Sequence, residues 1–392
     1  MARHEHAPRP ELPERYDLIE QIGIGGRGRV WAAVDYLTMT SVAVKVPRIE
    51  KIAAVDRRAF EREAKIVASL RHDNIVHVVD ANTSGTEFDP YLTTELIYGE
   101  TLAHTMRWRG AMAAGQAASV GAQLTDALTA VHQAGYAHRD VKPENAVASH
   151  GDGEVKLIDF GLAAPTNAPD GRPFAGTNGY YAPETAKAYL LSEIEGLEVG
   201  TPLPSPASDI YAAGLVVHEM TTGKHIFDAG LQGILQQARG QVPPLSQIRS
   251  DVPRSLDKLI RHMTAHDPKD RPTAAEASDG LREIAAEHRD ARGGTVIPVQ
   301  GLDRRQGPEV ALPPTPAQEP PAPRASTGGL SPVSEVEKHR SAPALPNRES
   351  AASNQVRHQS SQGPARPQNH AAADPARKQP GQGRALRKEL GP

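Results

Sequence analysis

Two short polar segments constrain this chain more than any other feature of its sequence. Residues 138–145 read His-Arg-Asp-Val-Lys-Pro-Glu-Asn, and residues 159–161 read Asp-Phe-Gly. Between them these segments supply two carboxylates, one ammonium and one amide, on Asp140, Asp159, Lys142 and Asn145. Carboxylate and amide oxygens are the ligands that Mg²⁺ prefers, commonly together with the phosphates of a nucleotide. A fold that uses this set must bring the four side chains to one place, around a phosphate-bearing ligand and its metal ions.

Composition divides the chain near residue 290. Apolar residues make up 38% of the sequence, below the usual range of about 45–50%, which counts glycine as apolar. Beyond residue 290, Pro, Gln, Ser, Ala and Arg dominate and hydrophobic periodicity ends. Such a segment cannot bury enough apolar area to fold. We expect a flexible leader over residues 1–14, one folded domain over 15–289, and a disordered Pro/Ala/Gln/Arg-rich tail over 290–392.

Several classes of function are excluded by what the sequence lacks. It has no cysteine, which excludes disulfides, thiolate metal sites and cysteine nucleophiles, and fits a reducing compartment. The N-terminus has no signal-peptide run, and no window approaches the roughly 18 apolar residues of a membrane span. A net charge of −3 does not indicate the positively charged surface that is typical of nucleic-acid-binding proteins. We therefore expect a soluble, cytoplasmic protein that binds no nucleic acid and spans no membrane.

Hydrophobic periodicity predicts a β-rich first part and a helical second part. Strands are predicted over residues 16–22, 29–34, 41–46 and 90–96, with one helix over 57–70. Further helices are predicted over residues 116–134, 210–220, 256–263 and 274–288. This order indicates an α+β fold of two lobes, with an N-lobe over residues 15–97 and a C-lobe over residues 98–289. Ligands in such designs commonly bind between the lobes.

A glycine-rich segment near the start of the chain is a second candidate site. It runs Ile22, Gly23, Ile24, Gly25, Gly26, Arg27, Gly28, Arg29 and Val30. Glycines let backbone amides approach phosphate groups closely, because no Cβ intervenes. The same pattern opens dinucleotide-binding folds, where a helix follows the loop. Here the residues after Gly28 suit a strand that turns back as a hairpin, which favours a phosphate-binding hairpin.

Together with three further segments, these motifs resemble the eukaryotic-type (Hanks-type) serine/threonine protein kinase family, in its bacterial branch. The further segments are Val-Ala-Val-Lys at 42–45, the run at 176–184 that ends in Ala-Pro-Glu, and Ser-Asp-Ile-Tyr at 208–211. The resemblance covers residues 16–288, with the motifs in order. It implies the two-lobed protein kinase fold. It also implies an ATP-dependent enzyme of bacterial signalling that phosphorylates Ser and Thr hydroxyls of proteins, with Mg²⁺ or Mn²⁺ as the metal.

The resemblance assigns the catalytic chemistry to two residues and the metal ions to two more. Asp140 would accept or orient the proton of the substrate hydroxyl, chiefly by positioning that hydroxyl for in-line attack. Lys142 would neutralise the charge that develops on the transferred phosphoryl group. Asn145 and Asp159 would hold the magnesium ions, since both offer hard oxygen ligands.

On the same resemblance, Lys45 contacts the α- and β-phosphates of the nucleotide. A carboxylate in the helix at 57–70 would hold it there. We favour Glu63 as that partner. Glu61 remains a rival, although Glu61 with Lys65 would also suit a surface pair at i,i+4 spacing.

The resemblance also implies an adenine pocket. Its residues are Thr94 at the back, Glu95 and Ile97 in the hinge, Ile22, Val30 and Ala43 above the ring, and Val147 below it. The backbone of the two hinge residues would hydrogen-bond the base. The apolar members of this set would serve equally well as ordinary core.

Three features favour a protein substrate over the small molecules used by kinases of the aminoglycoside type. Lys142 stands two positions after the catalytic Asp, as in the serine/threonine-specific loop. The segment at 176–184 resembles a substrate-docking loop, and Asp209 would steady the catalytic loop. The resemblance also pairs Glu184 with Arg271, far along the chain, and that pair has no local explanation.

Regulation and assembly are left open by the sequence. Thr166 is the one hydroxyl residue between Gly161 and Thr177, and a phosphate on it would suit Arg139. Thr177 itself is expected to bond near Asp140 as part of the substrate site. A homodimer in which one copy phosphorylates the other is one arrangement that the resemblance admits.

Other functions compete with an active protein kinase. A pseudokinase would bind nucleotide or partners without transferring phosphate, and a small-molecule kinase would act on a metabolite. All four chemical positions are present, which favours the active enzyme. An insertion near residues 190–206 is expected on the surface, where it would shape substrate docking. The tail is interpreted as a spacer, with an autophosphorylation target and a docking strip as alternatives.

Overall fold

The computed structural model describes residues 9–25, 28–47, 54–167, 176–194, 196 and 203–288. Some predicted features lie outside these residues: Gly26 and Arg27, residues 1–8 of the leader, residues 197–202 of the insertion, and the tail over 290–392. The domain limits drawn from composition therefore stay a prediction. Among the helices of the described ranges, none is both long and apolar enough to cross a membrane.

Five antiparallel strands form the sheet of the N-terminal half, in the order β1-β2-β3-β5-β4. They are β1 (Tyr16–Gly25), β2 (Gly28–Asp35), β3 (Thr40–Val46), β4 (Val78–Asn82) and β5 (Tyr91–Glu95). One helix, α1 (Ala54–Ser69), follows β3. The four predicted strands and the predicted helix are confirmed. Strand β4 was missed because its sequence, Val-Val-Asp-Ala-Asn, turns polar after two residues.

The register of this sheet decides which side chains face the helical half. The valines of β3 alternate into a small core made of Tyr16, Leu18, Ala33, Val42, Val44, Val46 and Tyr91. Ala43 and Lys45 point to the opposite face, because successive strand residues alternate. Lys45 lies opposite Val30 of β2 and Leu92 of β5, and directly opposed residues share a face. One side of the sheet thus presents a lysine among apolar neighbours.

The C-terminal half is mainly helical, as predicted. Its helices are α2 (Leu102–Arg109), α3 (Ala114–Gln133), α4 (Pro183–Tyr189), α5 (Pro206–Thr222), α6 (Gly230–Arg239), α7 (Leu245–Ile248), α8 (Arg254–Met263) and α9 (Ala274–Glu287). Short strands complete it: β6 (Gly99–Thr101), β7 (Tyr136–Ala137), β8 (Ala146–Ser149), β9 (Val155–Leu157) and β10 (Ala164–Pro165).

Helix α5 forms the centre of this half. Its sequence is apolar nearly all round, and such a helix is expected to be buried. Ile210, Val216 and Met220 of α5 belong to the same core as Leu128 of α3 and Met263 of α8. The predicted buried helix is therefore confirmed. Because α5 is enclosed, the few polar side chains on it must find hydrogen-bond partners within the protein.

The predicted pair of Glu184 and Arg271 is also present. Two parallel hydrogen bonds of 2.8 and 2.7 Å join the guanidinium to the carboxylate, and Ser208 donates to the same carboxylate at 2.8 Å. Burial alone would raise the pKa of Glu184, but the hydrogen bonds and charge of Arg271 outweigh it and lower the pKa. The pair fastens the start of α4 to the segment that leads into α9.

Candidate active site

A cleft of about 1030 Å³ lies between the sheet and the helical half. Among the predicted site residues, those that line it are Ile22, Gly23, Ile24, Gly25, Gly28, Val30, Ala43, Lys45, Glu63, Thr94, Glu95, Ile97, Asp140, Lys142, Asn145, Val147 and Asp159. Of the predicted site residues that the structure describes, Arg29 alone is not part of this lining. The volume is at the upper end of the usual range for small-molecule sites.

Lys45 joins the sheet to the helix α1 and to the segment that carries Asp159. Its ammonium donates to Glu63 Oε1 at 2.5 Å and to Asp159 Oδ1 at 3.1 Å. Burial would lower the pKa of Lys45, but the charges of the two carboxylates outweigh burial and raise it. Lys45 therefore stays charged. The contact with Glu63, and not with its rival Glu61, is the one that the sequence favoured.

Asp140 stands at the centre of a dense hydrogen-bond network. Its Oδ2 accepts from Lys142 Nζ at 3.0 Å and from Asn145 Nδ2 at 3.0 Å. Its Oδ1 accepts from the Thr177 hydroxyl at 2.6 Å, and Lys142 also donates to that hydroxyl at 2.7 Å. Thr177 thus bonds Asp140 and Lys142, as expected. The network holds a carboxylate and a cation at fixed positions beside the cleft.

The loop that carries Asp140 is positioned by the buried Asp209 of α5. The Asp209 carboxylate accepts from the backbone N–H of His138 at 2.8 Å and of Arg139 at 2.7 Å. His132 Nε2 lies 2.9 Å from the same carboxylate. Arg139 has a φ of 68°, a left-handed conformation that costs a non-glycine residue roughly 1–3 kcal/mol. Asp209 therefore steadies the loop that carries Asp140, as the resemblance implied.

His138 supports the same loop from its other side. Its side chain is fully buried, and its ring meets the Phe160 ring edge-on at 4.9 Å between centroids. Burial lowers the pKa of His138, although nearby carboxylates oppose the shift. The imidazole therefore acts as a neutral packing group that joins segment 138–145 to segment 159–161.

The hinge between the halves is fixed at Glu95. Its backbone N–H donates to the carbonyl of His77 at 2.9 Å. Its own carbonyl accepts from the Thr94 hydroxyl at 3.3 Å, and the second lone pair of that carbonyl is the backbone group that it can offer to a base. The Glu95 carboxylate accepts from the backbone N–H of His77 at 2.8 Å and pairs with Lys156 at 3.3 Å. The prediction that the backbone of Glu95 hydrogen-bonds the base therefore concerns its carbonyl oxygen alone.

The glycines of the first motif serve two different purposes. A Cβ on Gly28 would lie 2.5 Å from the carbonyl oxygen of Val46, so close approach to β3 requires glycine there. A Cβ on Gly25 would meet none of the described atoms within 4 Å. The sequence argument gave every glycine to phosphate binding. For Gly28 the close neighbour is instead the next strand, while Gly25 lines the cleft and has room for a Cβ among the described atoms.

Sequence reasoning missed one end of the cleft. Tyr180, Glu219 and His225 also line it. Glu219 accepts from the Tyr180 hydroxyl at 2.7 Å and lies 3.0 Å from His225 Nδ1. Burial and the Glu219 carboxylate raise the pKa of Tyr180. A glutamate near the end of a largely apolar helix was a signal that could have found this cluster.

Comparison with known proteins gives a family and several relatives. Residues 16–280 match the family described as the protein kinase domain. The chain is 34% identical over 284 residues to the serine/threonine-protein kinase PknL of Mycobacterium tuberculosis, covering 70% of this chain and 67% of that relative. It is 32% identical over 271 residues to the serine/threonine-protein kinase PrkC of Bacillus subtilis, covering 67% of this chain and 39% of the relative.

A third relative is the probable serine/threonine-protein kinase pknA2 of Bifidobacterium longum. It is 30% identical over 293 residues, which cover 72% of this chain and 36% of the relative. The chain therefore spans two thirds of the length of PknL but well under half of PrkC and pknA2.

Proposed function

This chain belongs to the protein kinase family, and from that premise we propose that it transfers the γ-phosphoryl group of ATP to serine and threonine hydroxyls of proteins. The observation that carries the proposal is the convergence of Asp140, Lys142 and Thr177 in the same cleft that Lys45 and Asp159 line. The names of the three relatives support the same substrate class.

Nucleotide binding is proposed for the part of the cleft beneath the sheet. Lys45 would contact the phosphates, because its ammonium is held charged by two carboxylates. The adenine ring would lie between Ala43 on the sheet and Val147 on the helical half, both of which line the cleft. The open space at Gly25 suits close approach of a phosphate to the backbone.

Divalent metal binding is proposed for Asn145 and Asp159. Among the residues that the structure describes, no group of three or more His, Cys, Asp and Glu side chains could hold a metal ion by itself. An ion would therefore share nucleotide phosphates with the protein, which is how Mg²⁺ is commonly held. The Asn145 amide nitrogen is used by Asp140, so its amide oxygen is the atom on offer. We propose Mg²⁺, with Mn²⁺ as the alternative.

The reaction forms one oxygen–phosphorus bond and breaks another. Asp140 would orient the acceptor hydroxyl and receive its proton as the hydroxyl oxygen attacks the γ-phosphorus. The bond between the γ-phosphorus and the oxygen that bridges it to the β-phosphate breaks, and ADP leaves. Lys142 would offset the negative charge on the phosphoryl group during this transfer. A cation aimed where charge develops accelerates transfer more than one that binds the ground state equally well.

Radiolabelled ATP tests the proposal directly. The chain is incubated with Mg²⁺, labelled ATP, casein and a mixture of peptides that contain Ser or Thr, and the phosphorylated residues are identified by mass spectrometry. We expect phosphoserine or phosphothreonine with the wild type and none with Asp140→Asn. Nucleotide binding without label would indicate a pseudokinase. ATP consumption that depends on a metabolite, without phosphoprotein, would indicate a small-molecule kinase.

Phosphorylation between two copies of the chain is a further part of the proposal. It is supported by the Ser and Thr residues of the sequence beyond residue 290, which offer acceptor hydroxyls within the chain itself. Wild-type protein mixed with tagged Asp140→Asn protein would label the inactive copy if two chains meet, and leave it unlabelled otherwise. We place the catalytic domain in the cytoplasm, because its substrate ATP is supplied there.

A further inference from the structure

Helix α6 carries a buried glutamine that faces the loop at 176–182. Gln237 has no exposed surface. Its Oε1 accepts from the backbone N–H of Gly179 at 3.1 Å and of Tyr181 at 2.9 Å. Its Nε2 donates to Asn178 Oδ1 at 3.0 Å and to the carbonyl of Gly233 at 2.9 Å. Three of these four hydrogen bonds reach the loop.

A glutamine at this position needs an explanation. The other buried residues of α6 are Gly233, Ile234 and Ala238, so the face that meets the rest of the protein is otherwise small or apolar. A polar side chain buried on such a face is unfavourable unless its hydrogen bonds are made. Here both ends of the amide are fully used, and two backbone donors of the loop depend on its oxygen.

The loop is held at both ends. Thr177 hydrogen-bonds Asp140 and Lys142, while Gly179 and Tyr181 hydrogen-bond Gln237. Gly179 has a φ of 108°, and a Cβ there would lie 2.8 Å from His225 Nε2. Only glycine therefore fits at position 179. The backbone between Thr177 and the residues that bond Gln237 has little freedom to move. A displacement of residues 178–181 would move Thr177 away from Asp140.

We propose that Gln237 is a positioning residue for the protein acceptor. It touches neither ATP nor the reacting atoms, and it acts by fixing the loop at 176–182 against the catalytic loop. The inference rests on the proposed function in one respect: the loop must be the place where the protein substrate docks. It predicts that loss of the amide impairs use of the acceptor and spares use of ATP.

Three variants of the full chain separate positioning from general stability. Gln237→Met keeps the length of the side chain but leaves the N–H groups of Gly179 and Tyr181 without their acceptor. Gln237→Glu restores that acceptor, but it replaces the donors with a second carboxylate oxygen and brings a charge into the buried site. Gln236→Met is the matched control, because Gln236 is the neighbouring residue and its hydrogen bonds go to the exposed Asp228, which precedes α6.

Steady-state kinetics are measured with ATP and with whichever casein or peptide acceptor the wild type labels best. For Gln237→Met we expect kcat/KM for the acceptor to fall about tenfold, the loss expected when a buried donor is left unsatisfied. The KM for ATP should change less than about twofold. Gln237→Glu should recover part of the loss, because it restores the acceptor but not the donors, and Gln236→Met should match the wild type.

Hydrogen–deuterium exchange gives a readout that does not need activity. The amides of residues 178–181 should exchange faster in Gln237→Met than in the wild type, with the amides of β3 unchanged. Equal losses for ATP and acceptor with no rescue by Gln237→Glu, or unaltered exchange in the loop, would overturn the inference. If the wild type labels no protein at all, the proposed function fails, and the exchange data still decide whether Gln237 holds the loop.

Discussion

The two ends of the cleft are built in different ways. We call the part beneath the sheet the nucleotide end and the part beside the loop at 176–182 the acceptor end, after the ligands proposed for them. At the nucleotide end, Ala43, Lys45 and Val30 share one face of a sheet whose register follows from strand alternation. At the acceptor end, the loop at 176–182 is held by Gln237 and Glu219, single side chains from two helices that follow it in sequence. The first end depends on a repeating backbone pattern, and the second on individual long-range hydrogen bonds. The two ends should therefore fail separately when single residues are changed.

Replacing Asp140 should give the largest effect and should leave the nucleotide end intact. In Asp140→Asn the group that receives the hydroxyl proton is lost, so kcat should fall by about 10²–10⁴. The Kd for ATP should stay near that of the wild type, because Asp140 contacts Lys142, Asn145 and Thr177, and not Lys45. Single-turnover kinetics measure the change in the rate of transfer, and calorimetric titration with ATP measures the change in Kd. A large rise in Kd would show that the two ends are not independent.

Replacing Lys45 should give the converse result. Lys45→Met removes the cation between Glu63 and Asp159, so kcat/KM for ATP should fall by about 10²–10³. Exchange protection of the loop at 176–182 should persist, because no hydrogen bond of that loop involves the sheet in the described contacts. Loss of loop protection in this variant would contradict the separation of the two ends.

Removing Glu184 should weaken the fold around the acceptor end. Glu184→Ala leaves the Arg271 guanidinium, whose side chain is fully buried, without its carboxylate. We expect a loss of about 3 kcal/mol, at the low end for a buried pair, because Arg271 keeps hydrogen bonds to backbone carbonyls. Urea denaturation measures it. A loss under about 1 kcal/mol would mean that the pair behaves like a surface ion pair.

The same pair predicts a pH dependence of stability. The pKa of Glu184 is lowered from its ordinary value of 4.5, so the unfolded chain binds the proton more readily than the folded one. Its contribution is therefore complete above about pH 4.5 and is lost as the pH falls through the lowered folded value. The stability difference between wild type and Glu184→Gln should shrink on acidification from neutral pH. A constant difference would contradict the sign.

The glycines of residues 22–30 give the smallest and most specific test. Gly28→Ala places a Cβ against the Val46 carbonyl and should destabilise the chain by about 1–3 kcal/mol, as overpacking does. Gly25→Ala has open space among the described atoms and should change stability by less than about 0.5 kcal/mol. Thermal denaturation of both variants tests this prediction. Equal shifts in Tm would contradict the different roles of Gly25 and Gly28.

The sequence predicted the nucleotide end better than the acceptor end for physical reasons. Periodicity and residue type predicted four of the five strands of the sheet that carries Lys45, and the resemblance to the kinase family supplied Glu63 as the partner of Lys45. Gln237 has no local signal except a polar residue on a buried face, and its partners lie far back in the chain. The role of Gly28 was predicted incompletely, because a close neighbour on another strand is invisible in sequence.

The most direct test of the central claim is a crystal structure of the chain with a non-hydrolysable ATP analogue and Mg²⁺. The account predicts the phosphates beside Lys45, a metal ion bound by Asn145 and Asp159, and the terminal phosphate within hydrogen-bond reach of Lys142. An analogue bound elsewhere, or bound in this cleft with its terminal phosphate directed away from Asp140 and Lys142, would contradict it.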